Sequence, residues 1–167
     1  GTNVEDDSIE LYNRIFFTNH HKLLEFDDHY SLSHGCMSGH PDIVDRERRK
    51  VIDIKSPWSK KTFPARPPKK AVYEWQVKMY LYMLSNKTGE QWREGEIAYM
   101  LVNTPEELIP DNEDDSLHYM DELADSLRAT IVKIDLTDDD IKKMDSRLEA
   151  AERYADEYVN FLKSKNK

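Results

Sequence analysis

Asp42, Asp53 and Lys55 sit in two short β-branched runs, HPDIVD and KVIDIKS, on either side of the polar stretch RERR. A carboxylate is costly to bury unpaired, so two of them in apolar strand sequence need either solvent or a counter-ion. If the runs pair as a hairpin whose loop is residues 46–49, Asp45 faces Lys50, Val44 faces Val51, Ile43 faces Ile52 and Asp42 faces Asp53. Side chains alternate across a strand, so Asp42, Val44, Val51, Asp53 and Lys55 share one face while Ile43, Ile52 and Ile54 enter the core from the other. Asp45 falls on the core face at the loop end, where Lys50 can neutralise it. Directly opposed residues have Cβ atoms roughly 5 Å apart, and like charges there repel. A divalent cation with oxygen ligands at about 2.0–2.6 Å converts that repulsion into coordination. Lys55, on the same face, can then meet a phosphate or position a water. Two readings compete: a solvated hairpin whose charges pair locally, and a metal site suited to phosphodiester hydrolysis.

An isolated Asp-x-Lys is a poor signal, and the chain has a second copy, Asp140-Ile141-Lys142. That copy falls in the first turn of the last helix, where Asp140 has a capping role beside Thr137. The first copy differs in context: it lies on a strand, opposite another carboxylate, and beside a basic loop.

The elements that must position these residues can be read from periodicity and breakers. EDDSIELYNRIFF (5–17) predicts a helix with Ile9, Leu11, Tyr12, Ile15 and Phe16 as its apolar positions. DDHYSLSHGCMSG (27–39) predicts a strand with a turn at its end, and the two runs around RERR predict two more strands. Pro57, Pro64, Pro67 and Pro68 make SPWSKKTFPARPPKK an irregular loop. Next come a helix in AVYEWQVKMYLYMLSN, a buried strand in GEIAYMLVN, an acidic connection, an amphipathic helix in SLHYMDELADSLRA (116–129) and a strand in TIVKIDL. The last helix starts from Thr137 as N-cap, with Ile141, Met144, Leu148, Ala151, Tyr154 or Ala155, Tyr158 and Phe161 or Leu162 turned inward. This order is an α/β chain with a mixed sheet flanked by helices.

With 167 residues and 38% hydrophobic content the chain supports one domain with a real core. It has no apolar run long enough to span a bilayer and no signal-peptide pattern, so no membrane association is expected. The single cysteine, Cys36, excludes an intramolecular disulfide and an iron–sulfur cluster held by four cysteines of this chain. A reducing cytoplasm is the default compartment. The net charge of -9 argues against a polyanionic partner, but Arg46 to Lys70 contains ten basic and two acidic residues. An acidic body with one basic stretch can hold a polyanion locally; a merely solvated loop is the competing reading. Ser56 and Trp58 are candidates for phosphate contact and base stacking, with a core plug as the alternative for Trp58. His20, His21 and His34 read as solvated, and DNEDDS (111–116) reads as a solvated linker because it lacks the Gly and terminal Glu of a calcium loop.

Three motifs in order, Gly39-His40-Pro41-Asp42, Asp53-Ile54-Lys55 and Gln76-Val77-Lys78-Met79-Tyr80, resemble the PD-(D/E)XK nuclease superfamily. The Gln-x-x-x-Tyr helix points to its RecB-like branch, which includes the phage lambda exonuclease-like, YqaJ-type viral recombinases. Gly1-Thr2-Asn3-Val4-Glu5 fits the branch's first-helix element except for the basic residue that would precede Gly1. The resemblance implies a restriction-endonuclease-like core over residues 1–167 as a single nuclease domain, with a natural N-terminal segment missing. It implies one or two Mg²⁺ or Mn²⁺ ions on Asp42, Asp53, Glu5 and the Ile54 carbonyl, with Lys55 activating or positioning the attacking water. It places Gln76 and Tyr80 along the DNA path. Lys60, Lys61, Lys69 and Lys70 lie in the Pro-rich loop with charge free to grip phosphates. The implied activity is that of a metal-dependent DNA exonuclease of the phage recombination type. The implied partners are DNA and a single-strand annealing or recombination protein, with room for a homo-oligomer. The rival is a non-catalytic DNA-binding or assembly module that kept the fold; such a module has no need for Asp42, Asp53 and Lys55 together.

Overall fold

The computed structural model describes residues 4–21 and 31–165. Helix α1 (Glu5–Phe16) is followed by a separate two-stranded hairpin, β1 (Leu32–His34) and β2 (Met37–Gly39). The main sheet then begins with β3 (Ile43–Asp45) and β4 (Lys50–Lys55). Helix α2 (Ala71–Thr88) crosses over to β5 (Glu94–Met100), and β6 (Ala129–Asp135) leads into α3 (Asp138–Lys165). The main sheet has the order β3-β4-β5-β6; β4 and β5 run parallel and the other neighbours antiparallel. This is the expected mixed sheet with flanking helices, an α/β restriction-endonuclease-like fold.

Strand alternation sends successive side chains to opposite faces, and both faces are covered. Ile43, Ile52 and Ile54 pack with Ile9, Leu11 and Tyr12 of α1 and with Ala98 and Met100. Val51, Ile97 and Tyr99 pack on the other side with Val77, Leu81 and Leu84 of α2. The carboxylate face of β4 is therefore the α2 face. Helix α2 lies so close that a Cβ on Gly95 would collide with Val77 Cγ1 and reach within 3.2 Å of the Val51 carbonyl. Gly95 on β5 is thus a condition for seating α2.

The register of β3 and β4 is the expected one: Ile43 opposite Ile52, Val44 opposite Val51, Asp45 opposite Lys50. The hairpin's charge pairing is not. Asp45 is held by the Arg48 backbone N–H at 3.0 Å and the Arg48 guanidinium at 2.9 Å, while Lys50 reaches Glu96 on β5 at 2.6 Å. The four-residue loop turns Arg48 back over Asp45, which leaves Lys50 for the neighbouring strand.

Three further expectations are corrected. Within the span 27–39, residues 32–39 form the β1–β2 hairpin around Gly35, whose φ of 56° suits the first residue of a tight two-residue loop; residues 27–30 lie outside the described ones. The span 116–129 is not a helix but a loop with short 3₁₀ turns at Asp115–Leu117 and Asp125–Leu127. Its hydrogen bonds go elsewhere: the His118 carbonyl accepts from Thr104 N–H, the Leu117 carbonyl from Lys60 N–H, and Met120 N–H donates to Asn103. Finally, α3 keeps its Thr137–Asp140 capping box, but only Met144, with Ile141 and Leu148 partly covered, is used as core. Tyr154, Tyr158, Phe161 and Leu162 are between 44% and 70% exposed. A 28-residue helix runs about 42 Å, well beyond the roughly 24 Å of a seven-residue strand.

Candidate active site

The C-terminal end of β4, the start of α1, the loop after β4 and the first turns of α2 enclose a cleft of about 580 Å³. Its lining includes Glu5, Asp42, Asp53, Ile54, Lys55, Ser56, Trp58, Lys70 and Gln76. Residues as far apart in sequence as Glu5 and Tyr99 are brought together by strands β4 and β5, the starts of two helices and the loop after β4.

Asp42 stands just ahead of β3 and accepts a hydrogen bond from the Ile54 N–H at 2.7 Å. Burial, then the charge of Asp53, pushes its carboxyl up from an ordinary value of 3.8 to about 6; Glu5 adds to the rise. Asp53, 1% exposed, is also raised, by burial first, with Lys55 opposing and Glu5 assisting. The Lys55 ammonium lies 2.6 Å from Asp53 Oδ2. That close ion pair neutralises the buried oxygen. The two aspartates thus form a buried, mutually repelling pair of hard oxygen donors, with Lys55 as the local counter-charge and Glu5 within their field. That donor set fits a hard divalent cation such as Mg²⁺ or Mn²⁺. No three His, Cys, Asp or Glu side chains among the described residues form a ready ligand group by themselves. The aspartate pair is therefore the nucleus of the candidate metal site.

Two motif residues meet behind the cleft. The Gln76 amide donates to the Tyr80 hydroxyl at 2.9 Å, and Gln76 lines the cleft. Tyr80, expected along the DNA path, is 5% exposed and does not line the cleft; it orients Gln76 from one layer back. A Cβ on Gly39 would stand 2.6 Å from Tyr80 Cε1, so the glycine of Gly-x-x-Asp makes room for the tyrosine of Gln-x-x-x-Tyr.

On the opposite wall, Ser56 shares a hydrogen bond with Ser8 of α1 at 2.8 Å. Trp58 is 41% exposed at the cleft rather than a core plug. Its ring meets the buried His118 edge-on at 5.6 Å, and its carbonyl accepts from Thr104. Of the loop lysines, Lys70 lines the cleft, and Lys61 and Lys69 are exposed. Lys60, expected free, instead bridges to Glu122 at 2.7 Å and the Ser116 carbonyl at 2.8 Å. His21 is exposed as expected, while His20 and His34 are only partly so: the first lies near Asp45, and the second packs edge-on against Tyr82. Residues Gly1 to Asn3 of the first-helix element lie outside the described ones.

The sequence reading missed Tyr73 and Tyr99, which also line the cleft. Lys55 lies 5.0 Å and Lys70 5.3 Å from the centre of the Tyr73 ring. Tyr73 is three residues before Gln76 on the same helix, a spacing that could have revealed it. Tyr99 looked like strand core, and it belongs to none of the motifs that single out other residues.

The profile of the PD-(D/E)XK nuclease superfamily matches residues 6–160. No curated protein matches the chain. Among solved structures, the chain is similar to a phage-related exonuclease from Haemophilus somnus 129PT, with a TM-score of 0.79 and 24% identity over 97% of this chain and 71% of that one. It is also similar to the alkaline exonuclease LHK-Exo from Laribacter hongkongensis, with a TM-score of 0.54 and 14% identity over 99% of this chain and 72% of that one. A structure of LHK-Exo in complex with dAMP gives a TM-score of 0.51 at 14% identity, over 99% of this chain and 71% of that one. At these identities the likeness establishes the fold.

Proposed function

The chain belongs to the PD-(D/E)XK nuclease superfamily, and from that premise we propose that it is a divalent-metal-dependent DNA exonuclease of the phage type. The observation that carries this reading is the cleft itself, in which Asp42, Asp53 and Lys55 stand together with Gln76 and Trp58 at its walls. The names of its structural neighbours, a phage-related exonuclease and an alkaline exonuclease, support the choice of exonuclease. DNA as substrate fits the basic stretch beside the cleft, Lys61, Lys69 and Lys70, on an otherwise acidic body.

Asp42 and Asp53 hold Mg²⁺ or Mn²⁺, with Glu5 and the Ile54 carbonyl as the further ligands. When bound, the cation supplies Lewis acidity at phosphorus and bears developing negative charge. Lys55 orients the attacking water and stabilises charge on the phosphate. Gln76, fixed by Tyr80, lines the path of the strand. Trp58 offers a face for base stacking, and the loop lysines neutralise phosphates. The cellular setting we assign is cytoplasmic recombination alongside a single-strand annealing protein; among the described residues no helix is long and apolar enough to cross a membrane.

The test is a cleavage assay on 5′- and 3′-labelled linear DNA and on circular DNA, with Mg²⁺, Mn²⁺ or chelator. Mononucleotide release from linear ends, abolished by chelator, is the expected result. Cutting of circular DNA would make the protein an endonuclease. Binding without cleavage in either metal would leave the non-catalytic module as the better account.

A further inference from the structure

Lys55 on β4 and Tyr99 on β5 are direct partners in the parallel register, as are Asp53 and Ile97. All four side chains leave the sheet on the α2 face. Neighbouring strands lie about 4.8 Å apart, and side chains stand roughly perpendicular to the sheet. The long side chains of Lys55 and Tyr99 therefore rise side by side into the same cleft, which both of them line.

Tyr99 is 4% exposed, and among the described residues its hydroxyl has no hydrogen-bond partner. Burying a hydroxyl without a partner disfavours the folded state, and such groups in a native structure need an account. Asp53, whose Oδ2 holds the Lys55 ammonium at 2.6 Å, lines the same cleft. Burial, then Tyr73 and Asp53, push the Tyr99 hydroxyl up, so tyrosine and lysine both stand within the field of that carboxylate.

An ammonium and a divalent cation cannot share one carboxylate oxygen without strong repulsion. If Asp53 serves a cation, Lys55 must move to another acceptor. The Tyr73 ring faces it at 5.0 Å but offers only a π-surface there. The Tyr99 oxygen is uncommitted and in register. We propose that Tyr99 is a positioning residue for Lys55, whose hydroxyl takes the ammonium when Asp53 gives its Oδ2 to a divalent cation. This rests on the reading of Asp53 as a metal ligand.

The proposal predicts coupling between three groups, which calorimetric titration with Mn²⁺ in the absence of DNA can read. The variants are the parent, Tyr99→Phe, Lys55→Met, the double substitution, Tyr73→Phe and Asp53→Asn. Tyr99→Phe should weaken Mn²⁺ binding about tenfold, the lower end for a hydrogen bond to a charged group, because Lys55 then stays on Asp53. In the Lys55→Met background the same substitution should change affinity less than about twofold, since no ammonium remains to be held. Tyr73→Phe should behave as the parent. In chelator, Tyr99→Phe should melt at or above the parent temperature, because the lost hydroxyl made no hydrogen bond. Equal weakening in both lysine backgrounds, no weakening in either, or a lower melting temperature without metal would overturn the proposal while Asp53-dependent binding stands. Mn²⁺ binding that survives Asp53→Asn, or is absent from the parent, would sink the metal-site reading and the proposal with it.

Discussion

The burial of Asp42 beside Asp53 should be measurable as a pH-dependent loss of stability in chelator. Burial and the neighbouring carboxylate raise Asp42 from 3.8 to about 6. A carboxyl whose folded value lies above its unfolded one contributes stability fully below the unfolded value and loses it as pH rises through the folded value. For Asp42 the loss therefore runs from about pH 4 to pH 6–7, and it is complete at pH 8. A displacement of about 2 pH units at roughly 1.4 kcal/mol each is about 3 kcal/mol. Asp42→Asn keeps an oxygen for the Ile54 N–H but carries no charge. In chelator at pH 8 it should melt roughly 5–10 °C above the parent, using the dependence of melting temperature on free energy for a chain of this size. At pH 4 the two should melt together. Added Mn²⁺ should raise the parent by preferential binding to the folded state and leave Asp42→Asn nearly unmoved. Scanning calorimetry at pH 4, 6 and 8, with and without metal, tests all of this. An Asp42→Asn protein that melts at or below the parent at pH 8, or a gap that ignores pH, would refute the argument that the two aspartates share a buried field.

Lys55→Ala should lower DNA cleavage by about a hundredfold or more, the scale for losing a group that stabilises transition-state charge, while Lys142→Ala stays near parental; equal effects would place the site wrongly. Neutralising Lys60, Lys61, Lys69 and Lys70 together should weaken DNA binding in Ca²⁺ and flatten its salt dependence, with metal-induced stabilisation retained. Most of that salt effect should come from the last three, since Lys60 already serves Glu122; binding isotherms at several salt concentrations decide it. Gly39→Ala should cost about 1–3 kcal/mol by overpacking against the Tyr80 ring, and pairing it with Tyr80→Leu should recover part of the loss in a denaturant titration.

The hairpin register and the faces of β3 and β4 were legible because alternation of apolar and charged residues leaves only one pairing that buries three isoleucines together. The capping box at Thr137 was legible because it is local, two side chains three residues apart. What escaped reading was non-local. Lys50 pairs with Glu96 because β5 runs parallel beside β4, a neighbour that no local pattern announces. The 116–129 span carries helix-like spacing, yet its backbone groups are claimed by Asn103, Thr104 and Lys60. His118, fully buried between Glu113 and Thr104, anchors that loop behind Trp58, and a single histidine in an acidic stretch gave no sign of it. The inward stripe on α3 failed for a matter of length: the pattern continues past the surface available to cover it.

The two Asp-x-Lys copies show why spacing becomes chemistry only through the element that carries it. On strand β4, residues two apart point to the same side, and the Lys55 ammonium comes to rest 2.6 Å from Asp53 Oδ2. On helix α3, residues two apart are turned by about 200° and face away from each other. Asp140 there is 6% exposed and accepts from Thr137 and pairs with Lys78 at 3.1 Å. The Lys142 side chain is 77% exposed and lies 3.5 Å from Asp139. In the helix the carboxylate is satisfied from every side and its surroundings hold its carboxyl below the usual range. In the strand the carboxylate is buried, raised by that burial, and balanced by the Lys55 ammonium two residues on. The same three-residue pattern is thus a helix cap in one place and, in the other, a buried ion pair whose carboxylate is the one we propose as a cation ligand.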